Sequence, residues 1–343
     1  MNNKPSLPSQ IPSDDPLPAQ INGYFSVRGP RTVFKEPTRE FSPSLESTVA
    51  YHAKPADRDR VRRLLDRGGF TIIAESPLGF AVNGPPGAYE EITGGEVVTQ
   101  ERLMRAEGGR MRYVTHVDVV GKGQPKELGV AYPKSATLKV DGILLERPMM
   151  LMSVFPSPIP PNSPRFHLRL PGDVSIGLSA AEPHKANLNG QDVSVVMPDS
   201  GWYRHPYFTA NHYNVATPLA VVPNVSANGD PVGHGTGESA NLFAIAPGAR
   251  LQPIRAADDG GNLVGAIAGF LKAKELKPQV ITCSWGGDSD YPPIGGPSQT
   301  DLAIALEIQH AVDSGICVVF SAGNGQFPSS RRCRASWRRG ART

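Results

Sequence analysis

Residues 181–328 predict an α/β fold, a mostly parallel sheet with helices on both faces, and two observations carry that expectation. Four strand-like runs, residues 193–197, 250–254, 280–283 and 316–320, alternate with stretches of helical spacing. Three of the runs, 193–197, 280–283 and 316–320, are mostly apolar rather than alternating, so those strands need cover on both sides, the condition of a parallel sheet. A third observation adds a second unit. Short strand and helix signals crowd together between Val49 and Thr99, so a small α+β domain is expected to precede the sheet.

Taken in order, residues 1–48 hold eight prolines and no apolar periodicity, which predicts an extended, poorly ordered tail. The α+β unit is expected over 49–102. Residues 49–53 suit a strand, and Asp57 can cap a helix that carries Val61, Leu64 and Leu65 on one face and stops at Gly68-Gly69. Residues 70–74 and 80–82 suit strands joined around Pro77-Leu78-Gly79. Pro85-Pro86 opens a second helix with Tyr89 and Ile92 on one face and Gly94-Gly95 at its end, and residues 96–99 close the set as a strand. That order, β-α-β-β-α-β, is the ferredoxin-like arrangement. A connecting region over 103–180 includes a proline-rich spacer at 156–164, just before Arg165, where exposed chain could be processed. In the α/β part, Leu263, Ile267, Phe270, Leu271 and Lys274 follow helical spacing, as do Leu302, Ala305, Leu306 and Gln309 ahead of Gly315. Residues 329–343 form an arginine-rich run without periodicity, which reads as an aberrant tail.

The formal charge of +3 over 343 residues owes six positives to arginines within the last thirteen positions, so the remainder is mildly acidic. Neither a nucleic-acid nor an anionic-membrane partner follows. Cys283 and Cys317 lie in apolar runs and are expected to be buried small hydrophobes; with Cys333 they are too few for a disulfide framework or a zinc site. Nothing of the H-E-x-x-H type lies near any histidine, so no metal and no cofactor is expected. The chain has no apolar run long enough for a membrane span and no leader-like start, which makes the cytoplasm the default location.

Chemistry gathers on three short stretches. V-S-V-V-M-P-D-S-G, residues 193–201, reads as a buried strand that ends at Asp199 and turns at Ser200-Gly201; reactive groups in open parallel sheets collect at such carboxyl ends. Thirty-five positions on stands Gly233-His234-Gly235-Thr236, and ninety beyond that Ser321-Ala322-Gly323-Asn324-Gly325. With His205-Pro206-Tyr207-Phe208, Ala246-Pro247-Gly248-Ala249-Arg250-Leu251 and Ser284-Trp285-Gly286 at intermediate positions, the stretch from about 188 to 327 resembles the subtilisin-like serine proteases, or subtilases. The resemblance implies hydrolysis of a polypeptide substrate, with His234 as general base, Asp199 orienting it and Asn324 donating to the oxyanion. It further implies that Ser284, Trp285 and Gly286 pair with substrate backbone and that Ala322 and Gly323 line the pocket before the scissile bond. The preceding α+β unit would then be propeptide-like, an intramolecular partner of the protease domain.

One part of the resemblance fails. The family's nucleophile lies in G-T-S-x-x-x-P, well downstream of the oxyanion Asn, yet only nineteen residues follow Asn324 here. Ser329, Ser330 and Ser336 lie among them and none has the motif. Loss of the nucleophile alone costs about 10⁶ in turnover, a figure whose reference case is itself a subtilisin. The expectation is therefore a subtilase by family whose 343-residue chain is inactive; the alternative is a non-catalytic pseudoprotease or a propeptide-like inhibitor and interaction module. Pro198, directly before the Asp, and Gly237, where many members have a second His, are smaller departures.

Overall fold

The computed structural model describes residues 10–34, 47–105, 111–150, 168–286 and 298–321. The first half forms β1 (Gln10–Pro12), β2 (Ile21–Val27), α1 (Pro55–Arg67), β3 (Thr71–Glu75), β4 (Gly79–Gly84), α2 (Pro86–Thr93), β5 (Glu96–Arg105), β6 (Met111–Val120), β7 (Val130–Ala131), β8 (Val140–Leu145) and β9 (Met149–Met150). The second half begins with α3 (Gly172–Gly177), α4 (Ala181–Lys185), β10 (Ser194–Asp199), α5 (Pro206–Ala210), β11 (Asn214–Val215) and β12 (Leu219–Ala220). It continues with α6 (His234–Ile245), β13 (Arg250–Arg255), β14 (Asn262–Leu263), α7 (Ala266–Glu275), β15 (Val280–Cys283), α8 (Gln299–Asp313) and β16 (Cys317–Phe320).

The expected parallel sheet is present, in the order β11-β13-β10-β15-β16, every pair parallel and β12 also beside β13. Helices cover both faces for the reason the sequence suggested. Along β10, Val195 and Met197 pack with Phe243 of α6, while Val196 packs with Phe270 and Leu271 of α7. Each such side chain, fully buried, contributes about 1.5–3 kcal/mol. Pro198 is accommodated because β15 pairs with β10 only through Val195 and Val196, so no ladder bond is asked of the proline nitrogen. Cys283 is buried as expected, but Cys317 is exposed: β16 is the edge strand, and its outer residues have no neighbour among the described residues. Leu263 belongs to β14, which pairs with β9, rather than to the helix that starts at Ala266.

The N-terminal half departs further from expectation. Residues 21–27 fall inside the stretch read as a disordered tail, yet β2 is the central strand of a five-stranded antiparallel sheet, β3-β4-β2-β8-β7. Averaging proline content over 48 residues hid a seven-residue strand that is buried almost throughout. The strand expected at 49–53 is instead a 3₁₀ turn, Thr48–Tyr51, entered through the Ser47 hydroxyl, which accepts from the Val49 N–H. β2 takes the sheet position that strand would have filled. β5 is twice as long as expected and pairs with β6 and β1 in a separate three-stranded sheet, so the elements read as β-α-β-β-α-β do not close into one ferredoxin-like sheet. α1 and α2 form where expected, although Lys54, not Asp57, is the cap of α1, with Pro55 opening the helix.

The five-stranded sheet is a sandwich filling. One face, with Phe25, Phe80, Val82 and Ile143, packs on Val61 and Leu65 of α1 and Tyr89 and Ile92 of α2. The other, with Tyr24, Ala81 and Leu144, joins the cluster of Phe270, Leu271 and Leu306 from α7 and α8. Two carboxylates reach across to helix starts. Glu146 accepts from the N–H groups of Ile267 and Ala268 at 2.9 Å each, and Glu127 from Gln299 N–H at 3.1 Å. These are the helix ends where unpaired N–H groups and the dipole favour negative charge.

Candidate active site

Asp199 is the last residue of β10 and is fully buried. Gly201 then turns the chain with φ 144° and lies so close to Gly229 that a Cβ would strike its carbonyl. The turn returns the backbone past the start of α6, whose first residue is His234, entered through Gly233 at φ 73°. His234 Nδ1 lies 2.7 Å from Asp199 Oδ1, a hydrogen bond between residues 35 positions apart. Gly235 permits that approach, since a Cβ there would run into the Gly201 carbonyl and sit 3.1 Å from the Asp199 Cβ.

Electrostatics favour an imidazole that can hold a proton. Burial pushes His234 down, but the Asp199 hydrogen bond and charge, with smaller contributions from Glu238 and Asp230, outweigh it and raise its pKa. With Nδ1 bound to Asp199, Nε2 is the nitrogen left to exchange protons, the tautomer a general base requires.

Residues 190–339 match the family model Peptidase_S8, the subtilase family. That stretch is similar to the subtilases. Among solved structures, a lanthipeptide protease is 21% identical, with a TM-score of 0.35 over 44% of this chain and 45% of its own. MycP1 from the ESX-1 type VII secretion system is also 21% identical, with a TM-score of 0.38 over 55% of this chain and 56% of its own. The chain thus spans about half the length of the solved proteins it matches. No curated protein sequence matches it.

Within that segment, three residues whose roles the sequence does not announce lie around the pair, and the first two hold it in place. Ser200 Oγ donates to Asp230 Oδ1 at 2.7 Å and accepts from Gly235 N–H at 2.9 Å. Asp230 accepts in turn from Gly233 N–H, Thr236 N–H and the Thr236 hydroxyl, at 2.7–2.9 Å, and so caps α6. One clamp therefore ties the end of β10 to the start of α6. Asp230 stands four residues before His234, outside the N-cap position that Gly233 holds, so its spacing gives no cap signal in the sequence. Glu238, the third, is one turn further along α6.

Of the residues expected to meet substrate, Ser284 and Gly286 follow the end of β15, and among the described residues, chain neighbours aside, no atom lies within 4 Å of where a Gly286 Cβ would stand. The Trp285 indole is buried; it donates to the Pro198 carbonyl at 2.7 Å and packs edge-on to Phe320. Its side chain props the strand that carries Asp199 rather than facing outward. Burial and the Asp199 charge raise the Cys283 thiol well above its ordinary value, which keeps it unreactive. Ala322, Gly323 and Asn324 lie outside the described residues, as do the serines at 329, 330 and 336, the spacer at 156–164 with Arg165, and the 329–343 tail. Among the described residues no group of three or more His, Cys, Asp or Glu could hold a metal ion, and no helix is long and apolar enough to cross a membrane.

Proposed function

We propose that Asp199 and His234 are the acid–base half of a serine endopeptidase centre acting on polypeptide substrates. The observation that carries this reading is the 2.7 Å hydrogen bond between a buried carboxylate at a parallel-strand end and a histidine at a helix start, inside a segment of subtilase sequence. In the reaction, Nε2 of His234 takes the proton of a hydroxyl nucleophile, and Asp199 holds the ring and stabilises the imidazolium. Asn324 would donate to the tetrahedral oxyanion, and its loss would cost about 10²–10³ in turnover. Ser284, Trp285 and Gly286 would pair with substrate backbone and Ala322 and Gly323 would border the pocket.

No G-T-S-x-x-x-P follows Asn324 within these 343 residues, so turnover would need a nucleophile from outside them. A non-catalytic role, as a pseudoprotease or an inhibitory or docking module, is the second reading. In either case the five-stranded sheet is the intramolecular partner of the protease half, a propeptide-like role supported by the two helix starts that Glu127 and Glu146 cap. The test is hydrolysis of fluorogenic peptides by the purified polypeptide, with and without a serine-directed fluorophosphonate. No inhibitor-sensitive turnover is expected from the 343 residues. The same chain fused to a subtilase C-terminal half bearing G-T-S-x-x-x-P should gain activity that H234A abolishes; a fusion that folds, carries the intact motif and stays inactive would refute the catalytic assignment.

A further inference from the structure

Pro198 and Trp285 meet directly behind Asp199. The carbonyls of Val193 and Asp199 accept from Arg250 and Ala256 on the β13 side, at 2.9 and 2.8 Å. Backbone groups alternate along a strand, so those of Pro198 turn the other way, towards β15. There the ladder is incomplete. β15 runs on to Cys283, yet it pairs with β10 only through Val195 and Val196, and a proline has no N–H with which to continue. The Pro198 carbonyl instead accepts the Trp285 indole N–H at 2.7 Å, a buried bond between residues 87 positions apart. That carbonyl shares a rigid peptide plane with the Asp199 Cα. Trp285 is held in turn: it is buried in one cluster with Phe270, Leu271 and Ile281, and its ring meets Phe320 edge-on at 5.5 Å.

We propose that Trp285 is a positioning residue for Asp199: its indole N–H stands in for the ladder that β10 and β15 lack at Pro198, and so fixes the end of β10 against segment 284–286. The proposal deepens the reading of Asp199 and His234 as an acid–base pair and rests on it. By its backbone Trp285 belongs to the segment expected to pair with substrate, and by its side chain to the strand that orients the base. A substrate strand seated on 284–286 is thereby placed against the same frame as Asp199. Trp285 touches no reacting atom. Without its N–H the buried Pro198 carbonyl must find another donor, and the strand end shifts with it. The 2.7 Å bond from Asp199 to His234 then lengthens. Because that bond and the Asp199 charge raise His234 against burial, its titration reads the displacement. Asp230 from the loop before α6, Glu238 of α6 and the Cys283 thiol of β15 also lie on this side, and a change at Trp285 removes none of them.

The test needs no turnover, so it can fail while the protease assignment stands. In the full chain with ¹⁵N-histidine, the His234 ring signals are identified by their loss in H234Q and titrated by NMR. Trp285→Phe keeps a ring beside Phe320 and removes the N–H; the His234 midpoint should fall by roughly half a pH unit, part of the fall expected of Asp199→Asn. Phe320→Leu removes the ring contact, keeps the N–H, and should leave the midpoint within about 0.2 pH units of wild type. Pro198→Ala returns a backbone N–H and keeps the Cβ that lies against Gly269 of α7, so the ladder to β15 can extend. In that background Trp285→Phe should move the midpoint less than about half as far. A midpoint in folded Trp285→Phe within about 0.2 pH units of wild type would overturn the proposal. So would an equal fall in both backgrounds, or a fall in Phe320→Leu as large as in Trp285→Phe. A second measurement covers the case in which Trp285→Phe does not fold. In the wild-type chain with ¹⁵N-tryptophan, the three indole signals are assigned through Trp202→Phe and Trp337→Phe. That of Trp285 should exchange slowly with solvent and shift at the His234 midpoint. An indole that exchanges freely, or ignores that titration, would overturn the coupling as well.

Discussion

Two buried carboxylates, Asp199 and Glu307, meet one basic partner each and have different fates. Glu307, on α8, binds Lys274 of α7 through Oε2, while Oε1 accepts from the Tyr24 and Ser76 hydroxyls at 2.7 Å each. Both of its oxygens are bound, and its partner is a lysine. Burial raises the Glu307 pKa, but Lys274 and the hydroxyls more than reverse this, so the carboxylate stays charged. Asp199 binds His234 and the Ser200 N–H through Oδ1 alone, and among the described residues nothing donates to its buried Oδ2. Its partner is a histidine, the residue type whose ordinary pKa lies closest to neutrality. The same type of side chain therefore fastens two layers together in one place and readies a proton transfer in the other. The difference lies in how many lone pairs are occupied and whether the partner can let go of its proton.

If Glu307 is fastening, breaking its pair should produce the largest effect in the molecule. Lys274→Met leaves a buried carboxylate without its cation and should cost about 3–5 kcal/mol, read as a lowered urea midpoint. A loss below about 1 kcal/mol would put Glu307 in the same class as a surface pair. At the other site the readout is protonation rather than folding. Asp199→Asn should lower the titration midpoint of His234 by about one pH unit or more, checked by NMR of the ring nitrogens. An unchanged midpoint would mean that the pair is held by packing alone.

Tyr24→Phe should cost about 1 kcal/mol, because Glu307 keeps Ser76 and Lys274 when this one donor is lost. A cost near that of Lys274→Met would show that the network fails as a unit. The smallest effect concerns pH. His310 and His52 sit edge to face beside this network, with ring centroids 5.2 Å apart. Burial first, and then the Lys274 charge, push His310 down to about 4. The folded imidazole stays neutral while the unfolded one charges near 6.5, so stability is lost as pH falls from about 6.5 towards 4. Glu146 works against this trend: burial raises it to about 7, so its contribution grows as pH falls from there towards its ordinary value. His310→Gln should therefore be compared with wild type at each pH. The variant's urea midpoint should fall less steeply between pH 6.5 and 4, and parallel curves would show that His310 carries none of the dependence.

The parallel sheet and the Asp199–His234 pair were legible because their signals are local. Three mostly apolar runs, 193–197, 280–283 and 316–320, announce strands covered on both faces, and glycines beside Asp199 and His234 mark where backbones come close. The motifs of residues 193–201 and 233–236 also lie inside the segment that matches the subtilase family model. Ser200 and Asp230 escaped notice because a hydroxyl and a carboxylate thirty residues apart look like any turn residues until the chain returns. The N-terminal half was misread for a related reason. β2 lies more than fifty residues from β4 and more than a hundred from β8, the two strands that bury it.

By itself, then, the sequence determined the kind of layer the second half forms, which residues end its strands, and the presence of a carboxylate and a histidine suited to proton transfer. Those follow from side-chain apolarity and backbone freedom read over a few residues. Only the tertiary structure decided that Ile21–Val27 is a central strand, that the β-α-β-β-α-β elements divide between two sheets, and that Glu307, Lys274, Tyr24 and Ser76 form one buried network. Strand pairing and buried ion pairs depend on which distant segment arrives as neighbour. No local window of the chain contains that information.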